Sequence, residues 1–319
     1  MPPPPTRRGR PAGLSVLVTL LMAVLLTATG CTADTAGTAD SARTADPVGP
    51  ALTPAELRTL ERAEQVLIGR CLRAQQFAYV EPEPEAGAET DARRFPYVVD
   101  DIAWARSHGY GLEQDRRIAA RKEADPNARY FRSLSPERRK AALAALNGPR
   151  PVGLSVGMPG GGVASASDSG CTAGAQRSLY GDLRSWFAAR LVVANLAPLY
   201  VPKVREDRRF RQAEAAWARC MAGQGHRLAG PHESRQALSG LVRGLPPARA
   251  RVAEIRLAVA EAECARDSGL AKTAAALDAQ YGAEVRLRYG EQITTRLRLQ
   301  RSALPRAHRI LAGAVLPSA

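Results

Sequence analysis

"RCLRAQQF" (residues 70–77) and "RCMAGQGH" (residues 219–226) share the pattern Arg-Cys-(Leu/Met)-x-x-Gln, and each stands at the end of an amphipathic run. Before the first, "TPAELRTLERAEQVLIG" offers Thr53 as an N-cap, Pro54 at the first helical position and Glu56 to complete a capping box. Leu57, Leu60, Leu67 and Cys71 recur at helical spacing, which puts Cys71 on or beside the buried stripe. Before the second, residues 206–223 carry Phe210 and Trp217 on a similar stripe. Each cysteine is followed downstream by another, Cys171 in "SGCTAGAQRSLYG" and Cys264 in "AEAECARDSGL". How these thiols are used decides the fold, and the N-terminus bears on that through the compartment.

The chain opens with an arginine-bearing stretch (Arg7, Arg8, Arg10), an apolar run from Leu14 to Leu26 and small residues before Cys31, the order of a secretory signal peptide over residues 1–30. The apolar run is shorter than the roughly 20 residues of a spanning helix. "TRRGRP" resembles a twin-arginine signal but has Arg10 and Pro11 where that signal carries apolar residues, so general secretion is favoured. "LLTATGC" resembles the lipobox of bacterial lipoproteins, with Ala28 replacing the usual leucine. That resemblance implies a diacylglyceryl thioether on Cys31, and stable anchoring needs two or more chains. Residues 31–52 follow as a tether in which Thr-Ala-Asp recurs at 32, 38 and 44; with Val48 and Leu52 as its large apolar residues, it cannot build a core.

Cys71, Cys171, Cys220 and Cys264 are an even number of thiols in an exported chain, which reads first as two disulfides. A zinc site wants close ligand pairs such as C-x-x-C, and no two of these cysteines form one. The third use, a catalytic thiol, needs a partner that lowers its pKa; for Cys220 the candidate is His226, six residues on and beyond a helix end at Gly225. If the two Arg-Cys segments are divergent copies of one unit, each closes its own bridge, Cys71 with Cys171 and Cys220 with Cys264.

The rest of the chain adds helices. Asp100 to Ser107 predicts a short one, and "SLSPERRKAALAALNG" a surface helix with Ser135 as cap and Asn147-Gly148 as stop. Longer ones are expected over 172–196, 206–223 and 247–268, and a tract from 271 to about 302 is broken by Gly282 and Gly290. "EPEPEAGAETDARR" (81–94) reads as an acidic loop and residues 149–170 as a Gly/Pro/Ser-rich loop. No sustained period-two alternation appears, so the fold class is all-α, in a helical unit over 53–200 and a second over 201–319.

These features, with "WARSHGYGL" at 104–112 and "EIRLAVAEAECARDSGL" at 254–270, resemble a group of secreted lipoproteins of high-G+C Gram-positive bacteria. The resemblance implies helices and disulfides and supplies no activity.

Candidate chemistry is sparse. "GLSVG" (153–157) matches the G-x-S-x-G nucleophile elbow and nominates Ser155, but Pro149, Pro151 and Met158-Pro159 surround it where a strand-to-helix turn is required. "GMPGGG" (157–162) lacks the Gly-Lys-Ser/Thr ending of a phosphate loop. His226 and His232 do not have the i, i+4 spacing of a helical zinc site, and a surface or capping role is the default for them and for His108 and His308. The net charge of +14 rests on arginine, with lysine only at 122, 140, 203 and 272, the composition that a G+C-rich genome imposes. The arginines of "EVRLRYGEQITTRLRLQRSALPRAHR" (284–309) would offer a basic face to anionic wall polymer or lipid head groups. The expectation is an extracytoplasmic, membrane-anchored binding or scaffolding protein without cofactor, metal or nucleic-acid partner. The alternatives are a wall-modifying hydrolase using Ser155 and a basic module docked to anionic polymer or lipid.

Overall fold

Thr53 caps the first helix as its sequence requires: Glu56 N–H donates to Thr53 Oγ1 at 3.2 Å, and the Glu56 carboxylate accepts from Thr53 N–H at 2.7 Å. The structure, a computed structural model, describes residues 50–82 and 95–315. The signal segment, Cys31, almost all of the tether and most of the acidic loop lie outside the described residues. Thirteen α-helices and one two-stranded sheet make the described fold, a mostly helical protein with two disulfides.

The first bundle is built from α1 (Pro54–Ala74), α5 (Pro136–Asn147), α6 (Gly170–Tyr180), α7 (Leu183–Ala194) and α13 (Gly290–Val315). Leu60 and Ala63 of α1 meet Leu179, Trp186, Leu299 and Ala303 in one cluster, and Ile68 and Leu72 meet Ala145 and Ala175 in another. The helix expected over 172–196 is two helices. Gly181 (φ +81°) ends α6, and Asp182 caps α7 by accepting from Ser185 N–H at 3.0 Å. Conversely Gly282 does not interrupt its helix, and α13 runs through Pro305 to Val315, well past the expected end.

The second bundle contains α2 (Ile102–His108), α8 (Val201–Glu206), α9 (Arg208–Gly223), α10 (Pro231–Leu241), α11 (Pro247–Asp267) and α12 (Leu270–Arg288). Its core holds Phe210, Trp217, Met221, Leu257, Leu270 and Leu277, together with Val98, Val99 and Tyr110 from the first half of the chain. Helices α3 (Leu112–Ala124) and α4 (Pro126–Ser133) connect back to α5; they are mostly exposed, and the sequence reading did not find them. Packing crosses the division expected at residue 200 in both directions. α2 lies against α11 in the second bundle, whereas α13 returns to α1, α6 and α7 in the first. Residues 46–319 form one unit.

Within the Gly/Pro/Ser-rich segment, β1 (Gly153–Gly157) and β2 (Val163–Ser167) pair antiparallel, with Gly153 opposite Ser167 and Ser155 opposite Ser165. Only Leu154, Val156 and Ala166 face a core, against Ala173, Leu183 and Phe187, so the alternation is too short to stand out in sequence. The tip is closed by Met158 N–H donating to the Gly162 carbonyl at 3.0 Å, with Gly161 and Gly162 at φ +97° and +80°.

Both Arg-Cys segments end their helices in the same way. In α1 the Phe77 N–H donates to the Leu72 carbonyl at 2.9 Å and Gln76 N–H to Arg73 at 2.9 Å; in α9 His226 N–H donates to Met221 at 2.8 Å and Gly225 N–H to Ala222 at 3.0 Å. These are two Schellman caps in register with the shared motif. The left-handed position is Gly225 (φ +86°) in one copy and Gln76 (φ +62°) in the other. A side chain in that conformation costs about 1 kcal/mol relative to glycine. Gly225→Ala is therefore expected to lower the unfolding free energy by about 1 kcal/mol, and Gln76→Gly to raise it by up to a similar amount. Urea denaturation of the oxidised protein measures both.

Candidate functional site: a cleft beside the second disulfide

The bridges are Cys71–Cys171 and Cys220–Cys264, with Cα–Cα distances of 5.5 and 5.6 Å and loops of 100 and 44 residues. This is the pairing that the internal repeat predicts. Cys220 is thus no free thiol, and its use as a nucleophile beside His226 falls away. Cys171 and Cys264 are fully buried. The shared glutamine of the motif has a place: Gln75 Nε2 donates to Cys171 Sγ at 3.2 Å, and Gln224 Nε2 to Cys264 Sγ at 3.5 Å. Two bridges mark a protein that folds in an oxidising, extracytoplasmic compartment. Closing loops of this length stabilises by about 4 to 5 kcal/mol each in the chain-entropy treatment.

The Cys220–Cys264 bridge ties α9 to α11, and beside these helices opens a cleft of about 490 Å³. Phe95, Tyr97, Val98, Phe210 and Pro231 form its apolar wall, while Arg205, Glu214, His232, Arg235 and Glu261 converge on it. Segment 95–99 is held as a rim. Tyr97 packs edge-on to Phe210 with ring centres 6.0 Å apart, its hydroxyl donates to Asp278 Oδ1 at 2.7 Å, and Arg205 donates to the Pro96 carbonyl.

Two glutamates of α11 draw the 95–112 segment into this bundle. Glu254 and Glu261 are two helical turns apart on one face, and each is 2% exposed. Glu261 accepts from Val99 N–H at 2.9 Å and from the Tyr110 hydroxyl at 2.6 Å. Glu254 accepts from Tyr110 N–H at 2.9 Å and Leu112 N–H at 3.0 Å. Gly109 (φ +62°) makes the approach feasible, since a Cβ there would stand 2.6 Å from Glu254 Cγ. Arg251, 3.5 Å from Glu254, also donates to the His108 carbonyl at 2.8 Å, and Arg235 lies over the Tyr110 ring.

Burial pushes the Glu261 carboxyl up from its ordinary value, against the donors that favour its charged form, and pushes the Tyr110 hydroxyl up as well. Glu214 is raised too, chiefly by burial and partly opposed by His232 and Arg205. Glu254 and Glu261 are engaged in holding backbone N–H groups and a ring hydroxyl. None of these carboxyls was found from the sequence. "EIRLAVAEAE" places Glu254 and Glu261 on the helix face that packs, and a buried acid on such a face is the signal that could have found them.

The sequence-nominated chemistry lies elsewhere and apart. Ser155 is exposed in mid-β1, opposite Ser165, and its strand leads into a glycine turn where an elbow needs a helix. Of the histidines, His232 lines the cleft, and His108 stacks on Trp104 with ring centres 4.0 Å apart, which departs from a surface role. The arginines of 284–309 do not share one face. Arg298 and Arg309 are exposed, whereas Arg296 is half-buried and Arg306 donates to the Leu179 carbonyl at 2.7 Å. Among the described residues no three His, Cys, Asp or Glu side chains are grouped to share a metal ion, and no single helix is long and apolar enough to cross a membrane.

A carboxyl raised on folding contributes stability that is full below its unfolded value of about 4.5 and is lost as pH rises through the folded value. Glu261→Gln removes that loss at the cost of one acceptor, since the amide nitrogen that replaces one oxygen can only donate. The unfolding free energy of the variant minus that of the parent is therefore expected to increase as pH is raised from 4 through neutrality, read by urea titrations across a pH series. A constant difference would place the charge of Glu261 outside the pH dependence.

Neither a protein-family model, nor a curated protein, nor a solved structure matches this chain.

Proposed function

We propose that this is a lipid-anchored protein of the cell envelope that binds a small, largely apolar ligand bearing an acidic group, and carries no chemistry of its own. The observation that supports the reading is the α9–α11 cleft: it is concave, has an aromatic and aliphatic wall, and faces that wall with charged groups converging from separate helices. Its volume of about 490 Å³ falls within the range of small-molecule sites. Arg205 and Arg235 would take the acidic end, and Phe95, Tyr97 and Phe210 the apolar body. Rigidity supports binding as well, because a wall fixed by a disulfide and two buried glutamates loses little freedom when a ligand enters.

Anchoring is read from "LLTATGC" and the Thr-Ala-Asp tether. The protein would then act at the outer face of the membrane, presenting the cleft to ligands there.

Two measurements test this. The exported protein is expected to partition with membranes and to yield an N-terminal peptide whose mass carries the diacylglyceryl group, and Cys31→Ser is expected to move it to the soluble fraction. The aromatic sulfonate 1-anilinonaphthalene-8-sulfonate, an apolar body with one acidic group, is expected to bind the folded domain one to one. Arg235→Ala should weaken that binding about tenfold, about 1.4 kcal/mol. Failure of the folded domain to bind the probe saturably would overturn the binding reading, and a soluble parent protein would overturn the anchor.

A further inference from the structure

A second pocket, of about 380 Å³, lies in the first bundle, among α1, α6, α7 and α13. Its charges are sorted by helix. α1 contributes Glu61 and Glu64, α7 contributes Arg190 and α13 contributes Arg296. Among the described residues no ion pair or hydrogen bond is made by either arginine, although both line the same small pocket as two carboxylates. Instead Glu64 accepts from Gln176 Nε2 at 2.8 Å and from the Tyr180 hydroxyl at 3.5 Å. The Nε–H of Arg190, the Nε–H of Arg296 and the indole N–H of Trp186 are all buried without an acceptor. Trp186 itself is 4% exposed and stacks on Tyr180 with ring centres 3.6 Å apart.

Such an arrangement is costly by itself. Buried donors without acceptors forfeit their hydrogen bonds to water, and like charges held side by side repel. Burial and the neighbouring Arg190 hold the Arg296 guanidinium below its ordinary range, while Tyr180 acts against them. Burial and Glu61 hold the Glu64 carboxyl above its ordinary value, with Gln176, Tyr180 and Arg190 acting against them. A ligand that carries both signs of charge would meet an opposite charge on each side, the Arg190 and Arg296 guanidiniums on one and the Glu61 and Glu64 carboxylates on the other. A plain anion would meet two carboxylates, and a plain cation two guanidiniums. Leu57 and Leu60 add an aliphatic wall next to Trp186.

We infer that this pocket binds a zwitterionic α-amino acid group, its carboxylate on Arg190 and Arg296, its ammonium toward Glu61 and Glu64, and an aliphatic side chain against Leu57, Leu60 and Trp186. The site is separate from the cleft beside Cys220–Cys264 and does not rest on the function proposed for it.

The test is isothermal titration of the oxidised, exported protein with leucine of either hand, leucinamide and N-acetylleucine. Leucine of at least one hand is expected to bind one to one, and removing either charge, by amidation or acetylation, should weaken binding at least tenfold. Arg296→Gln is expected to cause a similar loss. Because Arg296 is half-buried and its replacement can unfold the bundle, Glu61→Lys serves beside it: Glu61 is exposed, and a reversed charge there should weaken leucine at least tenfold while leaving the thermal midpoint in place. Absence of leucine binding at millimolar concentration, equal binding of N-acetylleucine or leucinamide, or a Glu61→Lys protein that binds as the parent does would each overturn the inference.

Discussion

The sulfur–sulfur bond between Cys220 and Cys264 joins the end of α9 to the last turns of α11, and the cleft lined by residues of both helices depends on that joint. α9 carries Phe210 and Glu214 on one wall, and α11 carries Glu254 and Glu261, which reach back to the 95–112 segment. Were the two helices free to slide, the acceptors for Val99, Tyr110 and Leu112 would move with α11, and the rim of the cleft would lose its place. The bond between Cys71 and Cys171 does the same for α1 and α6, which enclose the charged pocket with α7 and α13. Each bridge is made in the last turn of a helix that ends in a Schellman cap, so the chain is fixed next to the point where it would otherwise fray.

Buried carboxylates are the second constraint. Glu254 and Glu261 are almost fully removed from water, a placement that is unfavourable unless the oxygens are satisfied. Two backbone N–H groups satisfy one, and a backbone N–H with a phenol hydroxyl satisfies the other. The consequence is specificity of chain path: only one conformation of residues 98–112 presents those donors together, so the segment is drawn away from its neighbours in sequence and into the second bundle. α13 makes the opposite crossing, and its Leu299, Ala303 and Ala307 close the first bundle against Leu60 and Leu179. The two pockets thus belong to bodies that share chain in both directions, and neither body is a contiguous piece of sequence.

Most of the helices were legible in the residues, for local reasons. Thr53 and Ser135 cap because a short oxygen-bearing side chain can reach an N–H in the first turn, and Gly225 ends α9 because a left-handed residue without Cβ carries no strain. The hairpin at 153–167 and the short α3 and α4 were missed because their burial is slight, and without a buried face there is little periodicity to read. The cysteine pairing was legible through the repeated Arg-Cys-(Leu/Met)-x-x-Gln, whose glutamine turns out to donate to the bridge sulfurs. Ser155 looked like a nucleophile because five residues matched a pattern whose meaning depends on the turn that follows them.

By itself the sequence determined the helical class, the bridges and the ends of the helices that carry them, all of which depend on residues near one another or on a repeated motif. Only the tertiary structure decided where Glu254 and Glu261 find their donors, that Arg190 and Arg296 line one pocket without a carboxylate partner, and that the arginines of 284–309 face different ways. Those outcomes turn on which helix faces meet across a hundred or more residues of chain. Burial, charge pairing and desolvation there are set by the whole packing and leave no local mark in the order of residues.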